Sequence, residues 1–388
     1  HIRTLKKTVR WVVGIVLGVY IGTIVLLNIP NIQQAMSVFV AEELSEVLNT
    51  KVVIGRINMG LLNRIIIDDV LLDDQSGQEM LKVTRLSAKF DIMPFFKGKI
   101  SISSVQLFGF NINLRKETPD FPPNFKFVLD AFASKDTVKK ENSLDLRINS
   151  ILIRRGRMSY HVLSEEETPG KFNAKHIQLQ NIIANISLKA LSKDSLNLGI
   201  KRLSLDEKAS GFSLKKMSLK LVANNKQTNI DNFTIELPET SLKLDTIHLE
   251  YDSLKAFDRF TEQVHFSFRT LPSQVTLKDI SPFVPILSHF KEPVTLDMEV
   301  KGTVDQLTCS HLEITADDRQ FRLRGDVSLQ DLSHPQDAYV YGTLSELSAN
   351  TRGVGFLVRN LSPNYNGVPP LLERCLLYTS DAADEARS

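Results

Sequence analysis

Side chains that commonly act in catalysis or metal binding are few and scattered in this chain. Its 388 residues include two cysteines, Cys309 and Cys375, and eight histidines in no nucleophile arrangement. The sequence contains no phosphate-binding P-loop, no GxSxG nucleophile elbow, and no HExxH or CxxC motif. We therefore predict no catalytic, cofactor-binding or metal-binding residue. A paired-carboxylate hydrolase, which leaves no local signature, stays open as an alternative.

Three small polar groups have simpler explanations than a binding site. Cys309 and His311 stand two positions apart, but no further metal ligand lies near them in the sequence. The Asp-Asp pairs at 68–69 and 73–74 lack the alternating spacing of a calcium loop, so we interpret them as solvated strand ends. The arginines within 154–157 fit a solvated turn around a glycine better than a lipid-headgroup contact. The net charge of +2 does not suggest a nucleic-acid partner.

The apolar run from Trp11 to Ile29, WVVGIVLGVYIGTIVLLNI, contains no charged residue. About 20 apolar helical residues cross a bilayer, so residues 11–29 are predicted to be a membrane anchor. Basic residues and no acids precede the run, which predicts a cytoplasmic tail at 1–10 and export of the rest. A cleaved signal peptide is the alternative, but its apolar core would be only about 7–15 residues long. The predicted anchor residues are Trp11, Val12, Ile15, Val16, Leu17, Val19, Tyr20, Ile21, Ile24, Val25, Leu26, Leu27 and Ile29.

Small residues recur every fourth position in this run. Gly14, Gly18 and Gly22 would line one side of the helix, where another membrane helix could approach closely. Glycine is also simply common in membrane helices, so a specific partner helix is one of two interpretations.

Residues 31–50 are predicted to form an amphipathic helix. Its apolar residues recur at helical spacing and are Ile32, Met36, Phe39, Val40, Leu44 and Val47. Its polar side carries glutamates, which disfavours binding to an anionic membrane surface. We therefore predict that this helix caps the apolar core that follows it.

Strict alternation of apolar and polar residues from Lys51 to about Arg359 predicts a mostly β fold. Such alternation is typical of a sheet with one dry and one wet face. Seven strands share the pattern apolar-x-apolar-x-x-apolar-x-apolar, whose extra residue we expect to form a β-bulge and to curl a long antiparallel sheet. Those extra positions are 68–69, 103–104, 149–150, 180–181, 201–202, 215–216 and 245–246. Short helices are predicted at 124–133, 253–262 and 279–290.

Both ends of the sequence indicate a fragment. It begins at His1 rather than at a methionine, and residues 374–388, RCLLYTSDAADEARS, continue no strand pattern. We treat 374–388 as a non-native tail and leave Cys375 out of the argument.

The layout resembles the AsmA-like family. A basic tail, one anchor helix, an amphipathic helix and a long strand-rich region follow one another as they do in that family. Leu48–Leu114 carries most of the resemblance, and Leu277–Phe290 (LKDISPFVPILSHF) is similar to a helix of the family's translocation and assembly module subunit. The resemblance covers residues 1–370, with 51–370 as the β-groove.

The resemblance implies a function as well as a fold. It implies a curled β-groove of the bridge-like lipid-transfer type, held by one helix in the inner membrane of a Gram-negative-type bacterium, with its bulk in the periplasm. The groove would shield phospholipid between the inner and outer membranes. One alternative is an assembly factor for outer-membrane β-barrels, working with a partner barrel through a C-terminal domain that this sequence lacks. A third hypothesis is a passive envelope protein whose apolar face is ordinary core. The candidate lipid-lining residues are Leu242, Leu244, Ile247, Leu249, Leu296, Met298, Val300, Phe321, Leu323, Val327 and Leu329.

Overall fold

The computed structural model describes residues 2–60, 63–91, 100–133, 144–145, 149–192, 195–316, 320–331 and 338–361. Within them the chain is mostly β, with one long apolar helix at the start and a few short helices, which confirms the predicted fold class. The predicted non-native tail at 374–388 lies outside the described residues.

Two long helices open the chain and short ones interrupt the strands. The α-helices are α1 (Ile2–Leu27), α2 (Pro30–Leu48), α3 (Lys126–Ala133), α4 (Phe260–Gln263) and α5 (Thr351–Leu361). Short 3₁₀ helices cover Leu254–Arg259, Leu277–Ile280 and Pro285–His289. The three predicted helical interruptions are therefore confirmed.

Helix α5 corrects the expectation of strand up to about residue 359. Its buried residues Gly353 and Phe356 recur at helical spacing, and the Phe356 ring lies 5.9 Å from that of Phe321. A helix turns both residues toward the sheet, whereas the alternation of a strand would put them on opposite sides.

Eighteen strands make up most of the described chain. They are β1 (Val52–Gly60), β2 (Arg64–Asp73), β3 (Glu79–Phe90), β4 (Ile100–Lys116), β5 (Leu144–Asp145), β6 (Ser150–Val162), β7 (His176–Ser192), β8 (Ser195–Glu207), β9 (Ser213–Asn224), β10 (Gln227–Glu236), β11 (Ser241–Lys243), β12 (Ile247–Glu250), β13 (His265–Arg269), β14 (Ser273–Val275), β15 (Val294–Gly302), β16 (Gln306–Ala316), β17 (Phe321–Gln330) and β18 (Tyr339–Ala349).

The chain divides into two compact units. Unit 1 comprises residues 1–167 and 173–186, and unit 2 comprises 168–172 and 187–388. In unit 1, β1 to β4 pair in order as antiparallel neighbours, and β6 lies parallel to β4. A parallel neighbour needs a crossover connection, and the connection from β4 to β6 contains α3.

Unit 2 is built from antiparallel ladders. Strand β9 lies between β8 and β10, and β10 pairs with both short strands β11 and β12. Strands β13 and β14 both pair with β15, after which β15 to β18 follow in order.

The extra residue in the strand pattern takes two forms. Around Asp69 the register continues unbroken, because Ile54 pairs with Val70 and Arg56 with Asp68 on either side. Asp69 itself has φ 57° and faces Gly55, where an added Cβ would lie 2.9 Å from that of Asp69. Here the predicted bulge is wrong, since neighbouring strands share the extra residue and a left-handed residue accommodates it.

Of the six other predicted positions, one holds a left-handed residue, three are bulges and two fall at strand ends. Asn181 is also left-handed, with φ 55°. Register shifts accompany the positions 103–104, 201–202 and 215–216, as a bulge requires. The remaining two positions fall at strand ends, 149–150 at the start of β6 and 245–246 between β11 and β12.

Candidate functional site

Unit 1 presents a continuous apolar surface across five strands, which we call the apolar strip. Paired residues place Ile57, Ile67, Leu86, Leu107 and Ile153 in one row. The adjacent row, two residues along each strand, contains Met59, Ile65, Ala88, Val105 and Ile151. Side chains two positions apart point to the same face, so the two rows form one apolar surface.

The opposite face of the same strands is charged. Arg56 pairs with Asp68, and Asp68 pairs with Arg85 on the next strand. The Arg85 guanidinium donates to the Asp68 carboxylate at 2.6 Å, and this hydrogen bond raises the pKa of Arg85. The sheet of unit 1 therefore has the dry face and the wet face that alternation predicts.

Within the part of the chain that the structure describes, helices cover the β1 end of the apolar strip. Met36, Val40 and Leu44 of α2 pack against the strand residues there, together with Phe127 of α3. Under these helices Ile57 is 6% exposed. The other residues of its row, which include Leu107 and Ile153, are half-buried.

The covered end of the strip is joined to the end of α1 by one side chain. Asn28, just after α1, donates its amide to the carbonyl oxygens of Ile24 at 2.7 Å and of Met59 at 2.9 Å. Gln33 of α2 in turn donates to the Asn28 side-chain oxygen at 3.1 Å. Because Met59 belongs to the strip, the apolar surface starts directly beside the C-terminal end of α1.

Helix α1 is long and apolar enough to cross a membrane. Its span Arg10–Leu27 has a mean hydropathy of 2.1, and none of it is buried. Ile29, included in the predicted anchor, instead lies beyond α1 and precedes α2. A Cβ added at Gly14, Gly18 or Gly22 would meet no atom within 4 Å, so among the described residues nothing packs on that side.

Helix α2 packs on the sheet with only part of its predicted apolar side, through Met36, Val40 and Leu44. Phe39 is 62% exposed and Val47 43% exposed, although both belong to the predicted apolar set. Ser37 and Ala41, which lie outside the predicted set, are buried as well. These small side chains let the helix approach β1 closely, which the spacing of large apolar residues does not reveal.

The eleven candidate lining residues of unit 2 fall into three groups. One group packs in local clusters: Leu242, Leu296, Phe321 and Leu323 beside Phe356 of α5, and Leu249 beside Tyr251. A second group is buried and contains Leu244 and Val300. The third is half-buried and contains Ile247, Met298, Val327 and Leu329.

Two of these residues, Val300 and Val327, lie in one row. Val300 of β15 pairs with Phe268 on one side and Cys309 on the other, and Cys309 pairs with Val327. Unit 2 thus also carries an apolar row across its strands. Burial raises the pKa of the Cys309 thiol, and neither Cys309 nor His311 joins a group of metal-binding side chains among the described residues.

Asp74 corrects the interpretation of the aspartate pairs as solvated strand ends. It is only 2% exposed, and its carboxylate accepts hydrogen bonds from Ser76, Asn124 and Arg115, the last at 2.7 Å. Burial alone would raise the pKa of Asp74, but the hydrogen bonds from Ser76, Asn124 and the backbone of Gln78 lower it overall. The buried charge ties the β2–β3 turn to β4.

The arginines of 154–157 lie within strand β6, not in a turn as predicted. Phe110 of the neighbouring strand lies over Gly156, so that a Cβ there would overlap the Phe110 ring. Arg155 has φ 54°, and its guanidinium carbon lies 5.2 Å from the centre of the Phe108 ring. Gly156, which suggests a turn in the sequence, is instead the strand position on which the Phe110 ring packs.

Two features were missed from the sequence. The apolar strip of unit 1 was visible as a repeated pattern but was not proposed as a lining. His161, Glu167 and His176 come together only in the folded hairpin between β6 and β7, and no sequence spacing signals them.

No family model matches the chain, and no curated protein matches it.

Proposed function

We propose that this chain is a membrane-anchored member of the AsmA-like family, similar to TamB, that shields phospholipid acyl chains on their way between two membranes. The observation that supports this most is the apolar strip, which begins beside the C-terminal end of a helix long enough to cross a membrane. A lipid leaving the outer leaflet of the inner membrane would meet this surface first.

The dimensions of the strip suit one acyl chain. Five strands at about 4.8 Å spacing extend for about 19 Å, which compares with about 15 Å for the hydrocarbon of one leaflet. Each acyl CH₂ exposed to water costs about 0.8 kcal/mol, so a chain of about 16 carbons costs on the order of 12 kcal/mol in bare water. An apolar surface removes most of that barrier.

Shielding of this kind requires no reacting group. We therefore propose a non-enzymatic role, with phospholipid as the ligand. In this proposal α1 sits in the inner membrane, residues 1–10 stay in the cytoplasm, and the two units lie in the periplasm, because basic residues precede the apolar span.

Tryptophan fluorescence tests lipid contact with a matched pair of variants. Trp11 is the only tryptophan of the chain, so a Trp11→Phe variant has no tryptophan fluorescence of its own. Leu107→Trp places a fluorophore on the apolar strip, and Gln106→Trp places one on the opposite face of the same strand. Phospholipid brominated in its acyl chains should quench Leu107→Trp and leave Gln106→Trp nearly unchanged. Equal quenching of both, or quenching of neither, would overturn the proposal.

A second function is favoured by the edge of unit 2. Among the described residues, β18 pairs with β17 alone, and its side chains Tyr339, Val340, Tyr341, Leu344 and Leu347 are each more than half exposed. An apolar strand with an unpaired edge can take up an extended peptide by β-augmentation. This supports the alternative of an assembly factor for outer-membrane β-barrels, working with a TamA-like barrel.

The two functions are separated by crosslinking from β18. A photo-reactive residue at Leu344 should capture unfolded barrel protein during its export if the edge serves assembly. Capture of phospholipid from the same position, without barrel protein, would reject the assembly function and favour transport.

A further inference from the structure

We propose that His161, His176 and Glu167 form a binding site for a divalent transition metal, with Zn²⁺ as the reference ion. The potential ligand atoms of these three residues lie within 4.8 Å of one another. All three belong to unit 1, and the site is independent of the proposed lipid path.

The two histidines face each other at the base of a hairpin. His161 is next to the last residue of β6, and His176 is the first residue of β7. The backbone N–H of Val162 donates to the carbonyl of Lys175 at 2.9 Å, which fixes the two strand ends against each other. Both histidines are therefore held at strand ends that the sheet fixes against each other.

The geometry of the nitrogens matches a shared ion. The two Nδ1 atoms are 3.0 Å apart. Metal–nitrogen bonds of about 2.0–2.1 Å at tetrahedral angles separate two nitrogens by about 3.3 Å, so a small opening of the pair admits the ion.

One histidine already has the tautomer that a ligand needs. Nε2 of His176 lies 2.9 Å from the carbonyl oxygen of Glu165, which can only accept a hydrogen bond. Nε2 of His176 must therefore carry the proton, and its Nδ1 directs a lone pair toward His161. Metal-binding histidines usually donate their second ring N–H in this way, and the contact orients the ring.

Glu167 completes the set with an oxygen ligand. Its side chain is exposed, whereas His176 is 6% exposed, so the ion would enter from the loop side and keep a water as fourth ligand. Two imidazoles with one carboxylate favour Zn²⁺ and related transition metals over Ca²⁺ or Mg²⁺, which prefer oxygen ligands alone.

Cobalt uptake by the whole 388-residue chain, without an affinity tag and in detergent, tests the site. Co²⁺ reports four-coordinate nitrogen and oxygen ligation through its visible absorption, and Zn²⁺ should then displace it. We expect one equivalent per chain. His176→Ala should abolish the absorption, and Glu167→Gln, an exposed change that leaves the fold intact, should weaken binding by about tenfold or more. His289→Ala is the matched control, because His289 is exposed and distant in sequence.

Two results would overturn the proposal. One is wild-type uptake no greater than that of a His161→Ala, His176→Ala double variant, which would leave the pair as a simple imidazole hydrogen bond. The other is Co²⁺ absorption that persists in His176→Ala but disappears in His289→Ala. Circular dichroism of each variant confirms that the sheet is retained.

Discussion

Aspartate substitutions at Phe321 and Met298 distinguish a closed core from an open surface in unit 2. Phe321 is 4% exposed and packs beside Phe356 of α5. Met298 is half-buried and lies on β15, in the same alternating set as buried Val300. Both residues are candidate lining residues, yet only Phe321 belongs to a helix-covered cluster.

The expected costs differ because the two sites differ in burial. Truncating a buried phenylalanine costs about 3–5 kcal/mol, and an unpaired carboxylate in the same place adds about 1–3 kcal/mol. Phe321→Asp should therefore lower the free energy of unfolding by about 4–8 kcal/mol, enough to unfold many domains. At Met298 the carboxylate can reach water and only part of a methionine's burial is lost, so about 1 kcal/mol is expected.

Denaturant unfolding of the full chain in detergent measures both values. Met298→Ala serves as the control, because it removes the same side chain without adding a charge. The reasoning is refuted if Met298→Asp unfolds as readily as Phe321→Asp, since the surface around Met298 would then be a closed core.

Three further predictions concern topology, a buried charge and a glycine. We expect a reporter enzyme that works only outside the cytoplasm to be active and membrane-bound when it is fused after residue 120. Soluble activity would mean that the anchor is cleaved, and no activity would mean the reversed orientation. Asp74→Ala should destabilise unit 1 by about 3 kcal/mol near neutral pH, since it leaves Arg115 without its carboxylate. The pKa of Asp74 is lowered in the folded state, so its carboxylate stabilises the fold at pH values above its unfolded-state pKa of about 3.9. This stabilisation is lost as the pH falls. A difference in the free energy of unfolding between wild type and Asp74→Ala that does not shrink in acid would contradict this. Gly156→Val should cost about 1–3 kcal/mol because its side chain would overlap the Phe110 ring, and a companion Phe110→Ala change should relieve part of that cost.

The parts of the fold that depend on local pattern could be predicted from the sequence. The charge-free run gave α1, and alternation gave the strands and their dry faces. The repeated pattern also located Asp69 and Asn181, where the extra residue sits. Whether that residue becomes a bulge or a left-handed residue depends on the neighbouring strand, as Gly55 opposite Asp69 shows, and one strand alone does not reveal it.

Features that depend on distant partners could not be predicted. Asp74 is buried because Arg115 and Asn124 reach it from β4 and the segment that follows. Helix α5 forms where Phe356 can pack on Phe321. His161 and His176 meet only when the hairpin closes. Strand register and packing decide which residues meet in each of these contacts. No fixed spacing between residues in a single sequence reveals them.

Photo-crosslinking in living cells tests the central claim most directly. A photo-reactive residue is placed at Leu107 on the apolar strip and at Val327 in unit 2, with Gln106 and Ser328 as neighbours on the opposite faces, and the adducts are identified by mass spectrometry. The proposed lipid path predicts phospholipid adducts from Leu107 and Val327 and none from Gln106 and Ser328. Adducts only to neighbouring strands from all four positions would contradict it and would make the apolar surfaces ordinary core.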